Sequence, residues 1–403
     1  MLRLAAHLAA TSVVALVFVA PANPTMAAEK VDSNKIKWKR TQLDDKFRSE
    51  GVAVGDFNRD GRNDIAAGSV WYAAPDWKMQ LIRDKAGEFD PRNYSDSFCN
   101  FTDDLNNDGW IDLMVVDFPG APTRWYENPQ NKPGPWTPHV CVAVTNNESP
   151  QYLDVDGDGK RELLFATSPD PKQPDGPGRY LALARPDASD PNKPWNIQRI
   201  STNGAPGTNK FSHGIGAGDI SGDGKQDLLV TKGWWQAPAA PSAAAEWQYH
   251  AAPLGEDCAQ MYVFDFDGDG DGDVLSTAAH RLGMWWHEQN DGGWRTHKFS
   301  DACSQTHALE LKDINEDGLP DFITGKRWWA HGPKGDVDPG APPVLLWFEL
   351  TRQDGKPVWK EHEIDHNSGV GTQFEVSDVN GDKLLDVVIA NKRGVFYLEQ
   401  VRE

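Results

Sequence analysis

The chain lacks most of the short signatures that announce a chemistry. Its four cysteines contain no Cys-x-x-Cys pair, and no Gly-x-Ser-x-Gly, phosphate-cradling glycine loop or His-Glu-x-x-His occurs. The familiar signatures of redox dithiols, serine hydrolases, P-loop enzymes and zincins are therefore missing. Bases are in deficit: 40 Lys+Arg stand against 60 Asp+Glu, a net charge of −20, which argues against nucleic acid as a partner. Beyond the N-terminal segment no second long hydrophobic stretch exists, so no membrane span is expected in the mature chain.

The N-terminal segment reads as a secretion signal over residues 1–28. Arg3 supplies the charged start, the run from Leu8 to Ala20 is apolar, and Ala20, Ala22, Ala27 and Ala28 offer small residues for cleavage. An uncleaved anchor is the lesser alternative, because Pro21 and Pro24 follow the run so closely. The expected location is secreted or periplasmic. In such a compartment Cys258 and Cys303, each shortly before a repeat, are expected to form one disulfide, with Cys99 and Cys141 as buried thiols.

What is abundant is a repeat. The plan Asp-x-[Asp/Asn/Ser]-x-Asp-x-x-x-[Asp/Glu] occurs seven times, over 56–64, 104–112, 154–162, 219–227, 265–273, 313–321 and 378–386. Its first positions are Asp56, Asp104, Asp154, Asp219, Asp265, Asp313 and Asp378; its third are Asn58, Asn106, Asp156, Ser221, Asp267, Asn315 and Asn380. Its fifth positions are Asp60, Asp108, Asp158, Asp223, Asp269, Asp317 and Asp382, and its ninth Asp64, Asp112, Glu162, Asp227, Asp273, Asp321 and Asp386. Oxygen donors at odd spacing, with a glycine for the sharp turn, suit a hard cation such as Ca²⁺. These loops hold more carboxylates than the whole excess of acids over bases, so the acidity is read as cation-binding capacity. A plain Asp/Asn/Gly turn is the bland alternative.

Each loop sits in a recurring frame. An apolar run enters it, a strand such as Asp227-Leu228-Leu229-Val230 leaves it, an aromatic run such as Trp234-Trp235 follows, and a Trp-x-x-x-x-apolar segment such as Trp247 to Ala252 ends the unit. Four short strands per unit predict an all-β, seven-bladed β-propeller of four-stranded antiparallel blades over residues 29–403. The last unit stops after its third strand, and Trp38 to Leu43 supplies a lone fourth-strand segment. That N-terminal strand is expected to complete the last blade and close the ring, which removes an exposed edge. The loops and their strands resemble the FG-GAP or VCBS repeat family, from about residue 36 to the C-terminus. The resemblance implies Ca²⁺ held between the first and second strands of the blades, with Lys383 and Ser221 marking the two weakest copies.

Cations on one face of the disc direct attention to the other. The residue six before each first Asp is Glu50, Phe98, Glu148, His213, Ala259, His307 or Thr372, a position whose character changes where the strand leaves the core. Second strands end nearby at Lys232, His280-Arg281, Lys326-Arg327 and Asn391-Lys392-Arg393, which predicts a basic mouth able to attract an anion. The insertion from Trp328 to Pro343 would form a raised lip there, and Trp328 and Trp329 could stack on sugar rings. His213 and His307 are read as acid/base groups or ligands of a second, transition metal, separated by the channel entrance unless something bridges them. His139, His250, His297 and His362 recur on the fourth strands and are read as structural.

The function expected is action on a carbohydrate, a uronate or keto-sugar, by lyase or dehydratase elimination. This is similar to what propeller polysaccharide lyases and the propeller part of aldos-2-ulose dehydratase do. In that reading His213, His307 and His280 serve as acid/base groups or metal ligands at the mouth, and Lys232, Lys326 and Arg327 steady the enolate. The rival is a non-catalytic module binding a glycan or a protein. A monomer is expected.

Overall fold

The computed structural model describes residues 31–239 and 247–403; the secretion signal read in residues 1–28 lies outside them. Apart from one 3-10 turn at Ser33–Lys35, every helix or strand among the described residues is a β-strand. No helix among them is long and apolar enough to cross a membrane.

The first unit shows how sequence becomes sheet. Ala53–Gly55 enters the acidic loop, Asp64–Ala67 returns antiparallel to it, Val70–Ala73 follows, and Lys78–Leu81 lies outermost. Asp64–Ala67 is buried at every position, which explains why Ile65, Ala66 and Ala67 run apolar without alternating. The outermost strand is mostly exposed, Met79 and Leu81 included.

Five four-stranded antiparallel sheets and one sheet of eight strands make up an all-β propeller. One four-stranded sheet joins the two ends of the described chain: Ile36–Asp44 pairs antiparallel with Gly394–Arg402, from Ile36 opposite Arg402 to Asp44 opposite Val395. In the eight-stranded sheet, Ile215–Gly218 pairs in parallel with Gln260–Phe264 of the next unit. Two glycines permit that approach. A Cβ on Gly216 would lie 2.2 Å from the Met261 carbonyl oxygen, and one on Gly218 would lie 2.2 Å from Val263 Cβ.

Apolar clusters fill the wedges between successive sheets. Ile323, Leu345 and Trp347 pack with Phe374, Val376 and Phe396, while Val388, Val395 and Tyr397 pack with Val52, Ile65 and Tyr72 of the first sheet. Trp347 is fully enclosed, and burying a side chain of its size contributes at most about 4–6 kcal/mol. The fourth-strand histidines are part of this packing. His139, His250, His297 and His362 stack on Trp125, Trp234, Trp286 and Trp347 at 4.2–4.5 Å, and each Nε2 meets a third-strand Glu or Gln side chain.

The expected Cys258–Cys303 disulfide is absent: all four cysteines are free and buried. Cys258 packs with Leu254 and Met261, whereas Cys303 belongs to a different cluster around Phe322 and Leu346, so each thiol is spent as a small core residue.

Candidate functional site

The acidic loops do two distinct jobs. The ninth-position carboxylate is buried and clamps main chain: Asp112 accepts from Leu105 N–H at 3.0 Å and Asn128 N–H at 2.8 Å, and Asp321 accepts from Ile314 and Leu350 at 3.0 Å. The same pair of bonds recurs at Asp64, Asp227, Asp273 and Asp386. Burial pushes Asp112 and Asp321 up to about 8. First-position carboxylates cap the loop itself, as Asp56 does for Asp60 and Gly61. Two loops also gather three carboxylates within reach of one ion, Asp154 with Asp156 and Glu162, and Asp265 with Asp267 and Asp269. Beside the second, Asp271 keeps a buried oxygen without a partner and is raised to about 6, by burial first and then by Asp269 and Asp267. That donor set fits a hard cation.

At the other end of the channel, four of the seven positions six before the first Asp form one network. Arg327, fully buried, bridges Glu50 and Glu148, the second at 3.5 Å. His213 Nε2 lies 3.5 Å from Glu148 as well. Burial opposes the charge on Glu148, but His213 and Arg327 overcome it and hold its carboxyl down at about 2.

His213 and His307 are not separated by the entrance. Their ring centroids stand 5.6 Å apart, and His280 joins them at 4.8 and 5.0 Å. One device fixes the first two. His213 donates Nδ1–H to the Phe211 carbonyl at 2.8 Å, and His307 donates to the Gln305 carbonyl at 3.2 Å. Phe211 and Gln305, two residues before each histidine, take left-handed φ of 63° and 59°, which bends the strand back on itself. Burial keeps His307 far below the usual imidazole range, with Arg327 adding to it. His280 is lowered by burial and by His213. On His213 burial works the same way, yet Glu148 outweighs it and the net direction is upward.

The insertion from Trp328 to Pro343 closes over this group. Its Val337 N–H bonds the His280 carbonyl, and its Asp336 meets His280 Nδ1 at 3.3 Å and His331 Nδ1 at 2.9 Å. The resulting cavity of about 300 Å³ is lined by Tyr94, Phe118, Phe211, Glu148, His213, Asp257, His280 and His331.

The basic ring expected at this mouth is not assembled. Lys232 is exposed on its hairpin, and Arg281 is exposed beside Glu256 at 3.5 Å. Lys326 is buried with its ammonium on Ser304 Oγ at 3.0 Å, and Arg327 is consumed by two carboxylates. None of the four lines the cavity. Charged hairpin residues followed the solvent or a local partner rather than the mouth. Lys392 is the exception: its amine lies 4.5 Å over the Tyr94 ring, and burial with Arg327 nearby lowers it to about 8. The sequence reading missed Tyr94, His331 and Asp336, which sit outside the repeat; the insertion's length was the only signal for the last two.

Residues 104–165 and 250–324 match the FG-GAP-like repeat family. The repeats in those two stretches are FG-GAP-like. No curated protein matches the chain. Among solved structures, similarity extends to an Agrocybe aegerita lectin described as recognising non-reducing terminal N-acetylglucosamine, at 14% identity and TM-score 0.47, covering 91% of this chain and 86% of that one. It extends also to the rhamnogalacturonan lyase YesW, at 13% identity and TM-score 0.44, covering 89% and 72%. The V. cholerae biofilm matrix protein Bap1 follows at 17% identity and TM-score 0.32, covering 81% and 40%.

Proposed function

We propose that this protein is a secreted or periplasmic, calcium-stabilised, monomeric seven-bladed propeller that eliminates across an anionic carbohydrate, a uronate or keto-sugar, in the histidine cavity. Counting the eight-stranded sheet as two blades supports the number seven, and the pairing of Ile36–Asp44 with Gly394–Arg402 supports closure by the N-terminal strand. The three-carboxylate loops at Asp154 and Asp265 support calcium there.

The observation that carries the chemistry is the His331–Asp336 dyad at a cavity walled by Tyr94, Phe118 and Phe211. Aromatic faces suit sugar rings, and a carboxylate on Nδ1–H fixes the tautomer that leaves Nε2 free to accept a proton. His331 takes the proton next to the sugar carboxylate or carbonyl, and the freed electron pair forms an enolate. The enolate collapses to a carbon–carbon double bond as the β-oxygen leaves, and that oxygen takes the proton that His331 carries. Arg327, locked between Glu50 and Glu148, positions Glu148 against His213 rather than touching substrate.

The test is to incubate the protein with uronate-containing glycans and keto-sugars and follow absorbance of the unsaturated product. His331→Ala should lower the rate about 10²–10⁴-fold. Glycan binding without any product, unchanged in His331→Ala, would instead establish a non-catalytic binding module.

A further inference from the structure

Elimination from a sugar acid requires something electrophilic to take up the charge of the enolate; Arg327 is already engaged by two carboxylates, and the Lys392 amine lies over the face of Tyr94 at the cavity wall. The imidazoles offer a further route to that role. We infer that His213, His280 and His307 together hold one divalent transition-metal ion of the Zn²⁺ or Co²⁺ kind, with its remaining coordination position open to the cavity.

Four observations point there. One ring nitrogen of each histidine lies within 4.8 Å of the others, and three nitrogens on a tetrahedral ion with bonds of about 2.1 Å are about 3.4 Å apart. Small rotations of the rings close that difference. His213 and His307 are more than nine-tenths buried; His307 Nε2 has no hydrogen-bond partner, and His213 Nε2 makes no hydrogen bond although it stands 3.5 Å from the Glu148 carboxylate. Burying an imidazole nitrogen unpartnered is costly unless a ligand uses it. Their Nδ1–H groups are both committed to carbonyls two residues back, the arrangement that orients a ligating imidazole. Two different blades build that arrangement with the same left-handed residue, at Phe211 and Gln305, so it is not an accident of one loop.

The third histidine, His280, comes from a hairpin, and its Nδ1 lies 3.3 Å from Asp336 without a hydrogen bond between them. Nitrogen donors separate this centre from the oxygen-rich loops at the far face, which suit calcium. Assigning the ion the role of electrophile rests on the elimination proposed above; the binding of the ion does not.

The experiment is a Co²⁺ titration of protein stripped of transition metals in the presence of excess calcium, followed by calorimetry and visible absorption. Saturable uptake of one Co²⁺ per chain, displaced by Zn²⁺, is expected. Uptake should disappear in His213→Gln and His307→Gln and persist in His362→Gln, whose ring stacks on Trp347 at the outer rim. His280→Gln, at the least buried of the three, serves if the other variants do not fold. Absence of saturable binding in the wild type, or equal binding in His280→Gln, would overturn the inference. One bound ion without elimination on any glycan would uphold it and discard the elimination instead.

Discussion

The ion triad at the channel mouth gives the sharpest stability test. Arg327 is 2% exposed and faces two carboxylates, Glu50 at 1% and Glu148 at 8%. Arg327→Ala removes the guanidinium and leaves both carboxylates buried without it. Breaking a buried ion pair by deleting one partner costs about 3–5 kcal/mol, because the remaining charge has no solvent to return to. Unfolding entropy near 2.1 cal/mol/K per residue over about 370 residues converts this to a fall in Tm of about 4–6 °C. The control is the triple variant Arg327→Met, Glu50→Gln, Glu148→Gln, which removes all three charges and should recover most of the loss. Calorimetry of the wild type and both variants at one calcium concentration measures it. A Tm for Arg327→Ala within about 1 °C of wild type, or a triple variant worse than the single, would refute the argument that Arg327 is what makes the two buried carboxylates tolerable.

Two further outcomes test the opposite end of the molecule. Removing calcium with a chelator should lower Tm, and Asp265→Asn with Asp269→Asn should reduce that calcium-dependent part by weakening a loop that gathers three carboxylates; if chelation leaves Tm unchanged, the loops are self-capped turns. Glu310 and Glu375 line a second cavity on the inner strands, and burial raises each to about 7. The folded state therefore holds their protons more tightly than the unfolded chain, and stability is lost as pH rises from about 4.5 through about 7. Glu310→Gln should remove part of that slope and stabilise the protein at pH 8 by about 1–2 kcal/mol, a figure reduced because the group is only half-buried; a urea midpoint at pH 8 no higher than that of wild type would count against it.

The repeat made the architecture legible. Strands buried on both faces have to be apolar runs, and loops that turn back within nine residues have to be rich in Asp, Asn and Gly, so composition and spacing report directly on sheet position. The ninth-position carboxylate was legible as invariant in this chain's own copies but not as a clamp. Its two oxygens answer main-chain N–H groups of the loop and of the residue after the third strand, and main-chain partners leave no mark in a sequence pattern. Nor does the sequence show that Ile215–Gly218 joins the next unit's first strand, although Gly216 and Gly218 are the residues that let it.

At the mouth, counting six residues back from each loop located Glu50, Glu148, His213 and His307, because strand periodicity fixes which side chains emerge together. Charge was the unreliable guide. A lysine or arginine on a hairpin has a flexible stem and solvent within reach, so Lys232 and Arg281 went outward, whereas Arg327 went inward to Glu50 and Glu148. Histidine has a short, rigid stem and little to gain from solvent when neutral, so its position on the strand predicts its destination better. His331 and Asp336 obey neither rule, since they belong to an insertion that lies outside the repeat and folds onto His280 through Val337. The repeats thus dictate where a site can be, and this departure from the repeat supplies the groups that distinguish this mouth from a bare channel opening.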